Sequence, residues 1–324
     1  MEQRKDVLTI GIFALVLAIV LRFGFLPLEN PNALSVLIYL QTGRWVRYPG
    51  TAAEGKPPAV TTPTQPPTQP KPSGIYLSSE DIQAVELNNL TDYAPNLQQL
   101  GLSPLSWDLT ENAPKVLILH THATESYTRQ PGEIYEEDSD YRTFNSAYNM
   151  LSVGEELKKV LEAGGVSVLH DQSLHDYPSF NGSYSHARET IATYLQAFPS
   201  ICMVIDLHRD ALDFSQEPQL TTLASVNGQR SAQLMLVAGT DTNAAFENWE
   251  ENLALGVKLN AVLEKLHPGI TRPMQLRAQR FNLDMTPGSL LVEVGANGNS
   301  HAEAILAVRA LGEAIIAMAN GVNL

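Results

Sequence analysis

Residues 116–125 read VLILHTHATE: four apolar residues that pass directly into a run carrying two histidines and a glutamate. A short apolar run bounded by polar, turn-forming residues reads as a buried strand. The same reading applies to Val166–Leu169 (VSVL), Cys202–Ile205 (CMVI) and Leu290–Val294 (LLVEV). Between these runs, residues 145–162 place Tyr148, Leu151, Leu157 and Leu161 at helical spacing, and Gly164-Gly165 closes the segment. Residues 184–197, 249–266 and 301–319 read as three further helices, while Leu223–Val226 and Gln233–Val237, around Asn227-Gly228, read as a strand pair or as further strands. Strands alternating with helices predict an α/β sandwich with a largely parallel central sheet flanked by helices. In such a sheet ligands bind beyond the carboxyl ends of the strands.

Polar residues gather at those ends. Val116–Leu119 runs into His120, His122 and Glu125, and Cys202–Ile205 runs into Asp206-Leu207-His208-Arg209-Asp210. If the two strands are neighbours, His122, Glu125 and His208 converge as a two-imidazole, one-carboxylate set, which suits catalytic zinc. Alternation puts His120 on the same side as His122, so either histidine is open as the ligand. The spacing to Glu125 favours His122 and leaves His120 as a supporting or substrate contact. Glu293 stands in an apolar strand, where a carboxylate is costly unless paired or working. Its candidate role is general base, then general acid, for amide hydrolysis. His186 and Glu189 repeat the His-x-x-Glu pattern, but within a helix, where such positions are ordinary surface neighbours.

His170 and His175, each followed by an aspartate, border the same cleft, either as structural His–Asp pairs or as substrate contacts. Arg209 is a candidate clamp for a substrate carboxylate, and Asn149 a candidate substrate contact or a plain helix-surface position. His267 reads as a helix-end charge and His301 as a residue at the lip of the cleft.

The chain has 324 residues, 44% hydrophobic and 17% charged, which fits one large folded domain with attachments. Acidic residues outnumber basic ones 35 to 21, a formal charge of −14, the wrong sign for gripping a phosphate backbone, so no nucleic-acid partner is expected. The single cysteine, Cys202, read as lying in a buried strand, excludes an internal disulfide and any multi-cysteine metal site. At the start, residues 7–21 are uncharged (VLTIGIFALVLAIVL) and residues 7–28 extend roughly 33 Å as a helix, enough to cross a bilayer. The expected organisation is an N-terminal transmembrane anchor (1–28), a juxtamembrane segment (29–48), a proline-rich spacer (49–73) and a body (78–324). Arg4 and Lys5 before the span are answered by Arg22, Arg44 and Arg47 after it, so charge leaves the orientation open.

Four segments, HTHATESYT (120–128), HDQSLHDYPSFNGSYS (170–185), DLHRDA (206–211) and VEVGANGNSHAEA (292–304), together resemble the stage II sporulation protein P family from about Ser78 onward. The resemblance implies a membrane-anchored cell-wall hydrolase, single-pass with its body outside the cytoplasm and similar in fold to zinc-dependent N-acetylmuramoyl-L-alanine amidases. It implies cleavage of the amide between muramic acid and the stem peptide, and of peptide cross-links, during septal wall thinning and engulfment in sporulation. Its implied partners are peptidoglycan as substrate, the membrane, a lytic transglycosylase and a membrane protein of the engulfment complex. By the same resemblance His122 or His120, Glu125 and His208 hold zinc and Glu293 is the base, with Glu133, Glu136 or Glu137 as substitutes for Glu125. The competing readings are a metallocarboxypeptidase-like peptidase and a non-catalytic wall-binding protein.

Overall fold

In the computed structural model, which describes residues 74–323 except 106–108, 110–112, 139, 216–217 and 248, all four apolar runs contribute strands to one sheet. The strands are β1 (Ile75–Tyr76), β2 (Leu87–Asn89), β3 (Val116–Leu119), β4 (Val168–His170), β5 (Met203–Asp210), β6 (Leu223–Val226), β7 (Gln229–Ala232), β8 (Leu234–Gly239), β9 (Met274–Arg277), β10 (Ser289–Ala296) and β11 (Val322–Asn323). The helices are α1 (Ser79–Gln83), α2 (Leu97–Leu102), α3 (Met150–Ala163), α4 (Ser183–Ala197), α5 (Trp249–Leu266) and α6 (His301–Ala319). The expected anchor (1–28), juxtamembrane segment (29–48) and spacer (49–73) lie outside the described residues. Among the described residues no helix is long and apolar enough to cross a membrane.

The central sheet has the order β2-β9-β8-β10-β5-β3-β4, with every neighbouring pair parallel except β8 and β10. The largely parallel α/β sheet is thus present as two parallel blocks that run in opposite directions. In the block β10-β5-β3-β4 all carboxyl ends lie along one edge, where the polar motifs emerge. Sheets of this kind are covered on both faces. On one face Ile118, Ile205, Leu207 and Val292 pack with the buried stripes of α3, α5 and α6; on the other, Leu117, Leu119 and Val204 pack with Ala187 and Ile191 of α4.

Three expectations are corrected. The strand read as Cys202–Ile205 continues to Asp210, and Cys202 stands just before it, half-buried. Leu223–Val226 pairs not with 233–237 but with β7, through a turn in which Asn227 and Gly228 both take positive φ (52° and 76°). Two positive φ values suit the tight, right-twisted hairpin turn and favour Asn-Gly there. The chain then enters the central sheet as β8. The body also begins before Ser78, because Ile75 pairs with Val322.

Candidate active site

Strand alternation decides which side chains meet. Asp206 and His208 leave β5 on the α4 face, and Glu293 of β10 is the register partner of His208 across the parallel pair. Arg209 leaves on the opposite face, as does His120. After Leu119 the chain does not stay extended: residues 121–124 form a turn, pinned at two points. Thr121 donates from its amide (2.8 Å) and hydroxyl (2.6 Å) to Asp206, and Thr124 does the same to Asp176 Oδ2 (3.1 and 2.6 Å). The turn swings His122 over the α4 face, where its ring lies 5.2 Å from that of His208, and brings Glu125 Oε2 to 3.8 Å from His208 Nδ1. Phe180 stacks on His122 at 4.3 Å and Tyr184 meets it edge-on at 5.6 Å, so aromatic groups wall the cluster.

The turn also separates the two histidines that alternation had put on one side. His120 is buried beneath α3, bonded through Nδ1 to Leu207 O (3.2 Å) and through Nε2 to His170 Nε2 (2.9 Å). Burial pushes His120 down to about 3 and His170 down to about 4, so both are neutral. A carbonyl only accepts, so His120 carries its proton on Nδ1, while its Nε2 and, at 3.4 Å from His170 Nδ1, Glu155 Oε2 compete as acceptors for the one proton of a neutral His170. Gly154 leaves room for this pair: a Cβ there would lie 2.5 Å from His120 Nε2 and 2.6 Å from His170 Nε2.

The other expected substrate contacts are held by the protein itself. Asn149 is fully buried and caps α3, accepting from Leu151 N (3.1 Å) and donating to Thr143 O (3.0 Å). Arg209 donates to Ser126 O (2.9 Å) and Asp140 O (2.7 Å), strapping two loops over the sheet edge, and its amide faces Glu125 Oε2 at 3.4 Å. Its guanidinium is therefore a brace rather than a carboxylate clamp. His175 Nε2 lies 3.2 Å from Asp171 Oδ2, both buried. Of the substitutes for Glu125, Glu133 accepts from Gln130 N (2.7 Å) and Glu137 from Ser126 Oγ (2.9 Å), while Glu136 is exposed. Asp206, Asp176, Arg142, Phe180 and Tyr184 belong to the site and were not assigned from the sequence. For Asp206 a signal existed, its i, i+2 spacing from His208.

The electrostatics show an excess of buried carboxylate. Burial lowers the His208 pKa, but Asp206, whose Oδ1 lies 3.0 Å from His208 Nε2, together with Glu125 and Glu293, outweighs it and pushes His208 up to about 10. Asp206 is held down to about 2 in spite of its burial, by His208 and by the bonds from Thr121. Burial lifts Glu293 to about 8, with Glu125 adding to the effect and His208 opposing it. His122 is pushed down to about 3 by burial, with His208 beside it. Three buried atoms of this cluster have no hydrogen-bond partner: His122 Nδ1, His208 Nε2, which sits at ion-pair distance from Asp206 without hydrogen-bond geometry, and Glu293 Oε2.

Among the described residues no three His, Cys, Asp or Glu side chains stand as an assembled metal-holding group. The donor set nevertheless fits a borderline divalent ion such as zinc: imidazole nitrogens and carboxylate oxygens, buried, with partnerless atoms and a histidine that carries a proton only because anions surround it. Metal ligands bind deprotonated, so a cation here would take the place of that proton.

The stage II sporulation protein P (SpoIIP) family model matches residues 51–316. The chain belongs to this family. A relative from Bacillus subtilis (strain 168), stage II sporulation protein P, is 26% identical over 246 residues, covering 72% of this chain and 57% of the relative, so the chain spans little more than half of that relative's length. Among solved structures, the N-acetylmuramoyl-L-alanine amidase AmiC2 of Nostoc punctiforme is 14% identical, with a TM-score of 0.37 over 62% of this chain and 94% of that one. The CwlD amidase of Clostridioides difficile, in complex with the GerS lipoprotein, is 14% identical with a TM-score of 0.35 over 62% of this chain and 96% of that one. The matched span takes in the segments that form the cluster: the turn after β3, the second half of β5, and β10.

Proposed function

We propose that the chain is a zinc-dependent amide hydrolase of peptidoglycan, an N-acetylmuramoyl-L-alanine amidase with endopeptidase activity that thins the septal wall during engulfment. The observation that carries this reading is the meeting of His122, Glu125, His208 and Glu293, with His122 Nδ1 and Glu293 Oε2 buried and partnerless and His208 held against Asp206. His122, Glu125 and His208 would hold the ion, which when bound supplies a Lewis acid that polarises the scissile carbonyl and activates water at neutral pH. Glu293, lifted to about 8, accepts the proton of the attacking water and returns it to the leaving nitrogen as the carbon–nitrogen bond breaks. Phe180 and Tyr184 keep solvent from one side of His122 and His208. Thr121 holds Asp206, which in turn orients His208.

The expected transmembrane segment would place the body at the outer face of the cell membrane, close to the wall, where a lytic transglycosylase and a membrane protein of the engulfment complex would be its partners. The test incubates the full chain with intact muropeptides and with free peptides. Stem peptides released without muramic acid support the amidase. Trimming of free peptides alone would favour a carboxypeptidase-like enzyme, and no product from either a wall-binding protein.

A further inference from the structure

The carboxylate of Glu125 is divided between two sides of the site. Oε2 faces the sheet, 3.8 Å from His208 Nδ1 and 3.4 Å from the amide of Arg209. Oε1 faces Arg142, whose Nη2 lies 3.5 Å away. The backbone prepares this contact. Residues 124–126 and 141–143 run antiparallel: Thr143 N donates to Thr124 O (2.8 Å), Ser126 N donates to Tyr141 O (2.8 Å), and Glu125 and Arg142 are bridge partners. Partners across such a bridge carry their side chains on the same face. Asp138 closes the loop, accepting from Arg142 N at Oδ1 (3.0 Å) and donating its own amide to Arg142 O (3.0 Å).

The guanidinium is fixed by three further contacts. Nη1 donates to Asp176 Oδ2 (3.0 Å) and lies 3.4 Å from Thr124 Oγ1, and Cζ stands 4.6 Å from the centre of the Phe180 ring. Phe180 in turn stacks on His122 at 4.3 Å. Arg142 therefore bears on two of the three expected ion-holding side chains, on Glu125 through its own Nη2 and on His122 through Phe180. A planar fork holds separated acceptors in a fixed relation, which a compact ammonium on a flexible stem does less well. Its charge works the other way. A cation beside a ligand repels an incoming cation, so as a charge alone Arg142 weakens metal binding. Position and charge thus have opposite signs, and substitution can separate them.

We propose that Arg142 is a positioning residue for the metal centre, which holds Glu125 Oε1 so that Oε2 is the oxygen turned toward the ion, and which braces the Phe180 ring against His122. The proposal rests on the zinc reading above and on no other part of the proposed function.

The test strips the full chain of metal and titrates it with zinc against a chromophoric chelator, then with cobalt(II), whose visible absorption reports the geometry of its ligands. Arg142→Lys keeps the charge and loses the fork, and Arg142→Gln loses both. Arg142→Lys is expected to bind zinc about 10–100-fold more weakly than the unsubstituted chain and to shift the cobalt absorption, while Arg142→Gln binds zinc no more tightly than the unsubstituted chain. Unchanged zinc affinity in Arg142→Lys, or tighter binding in Arg142→Gln, would show a charge and not a position, and overturns the proposal. Weaker zinc binding with an unchanged cobalt absorption would trace to the fold, read as a lower urea midpoint, and overturns it too. If Arg142→Lys does not fold, Asp176→Asn answers instead: it leaves Arg142 in place, withdraws the anion that anchors Nη1, and is expected to shift the cobalt absorption, an unshifted one being the contrary result. A chain that takes up no zinc before any substitution removes the zinc reading and the role of Arg142 together. Zinc held equally well with and without the guanidinium removes only the role of Arg142.

Discussion

Asp206 and His208 stand two residues apart on one strand face, and their contrast explains how the centre is tuned. Each is buried and each holds the other in its charged form, while Glu293, one strand away, gains a proton affinity near neutrality from the same burial. A carboxyl poised near neutral pH is fit to take and return a proton. Replacing Glu293 with Gln is therefore expected to lower kcat by about 10²–10⁴-fold while bound zinc, read by metal analysis, stays unchanged. On the other face of the sheet, Gly154→Ala would drive a methyl into the His120–His170 pair, and urea unfolding should show a loss of about 1–3 kcal/mol. The roles of His208 and Glu293 were legible in residue type, an imidazole just past an apolar run and a carboxylate inside one, but their register pairing was not, because the strand before His208 was read as ending at Ile205. His120 was misplaced because alternation holds only while the chain stays extended, and it turns at Thr121. Asp206 went unassigned because a strand seemed to end where polar residues began, whereas Thr121 satisfies that carboxylate and lets β5 run on.

At the scale of elements, long amphipathic segments were the easiest to place. The helices α5 and α6 occupy the residues that periodicity assigned, and α6 opens on a capping box between Ser300 and Glu303. The start of α3 was read too early, at 145, because Asn149 interrupts the pattern as the cap of a helix that begins at Met150. Asn149→Ala removes the acceptor for Leu151 N and the donor to Thr143 O. Its expected cost is about 1–2 kcal/mol of stability, seen as a lower urea midpoint with KM unchanged. A rise in KM without loss of stability would return Asn149 to the substrate. The short strands β2 and β9 escaped the sequence reading because a few residues at the sheet margin carry no continuous apolar run.

At the scale of the molecule, burial of charge sets how stability follows pH. Lys258 of α5 is 2% exposed and donates to the carbonyl of Gly101 in α2, and burial pushes its pKa down from 10.5 to about 8. Between about 8 and 10.5 the unfolded chain holds this proton and the folded chain does not, so this lysine makes stability rise with pH across that window, by up to about 3 kcal/mol. Below about 8 both states are protonated and the penalty is complete; above 10.5 neither is, and it vanishes. Unfolding midpoints of Lys258→Met and the unsubstituted chain should therefore differ most below pH 8 and converge above it. A difference independent of pH would show that the ammonium is not desolvated. The same arithmetic of buried charge makes a bound cation the central claim for the site, where three carboxylates crowd one histidine. Metal analysis of the purified full chain tests that claim most directly. The expected result is about one zinc per chain, retained by Glu293→Gln and lost by His208→Ala; a chain that binds no zinc, or whose zinc survives His208→Ala, would contradict it.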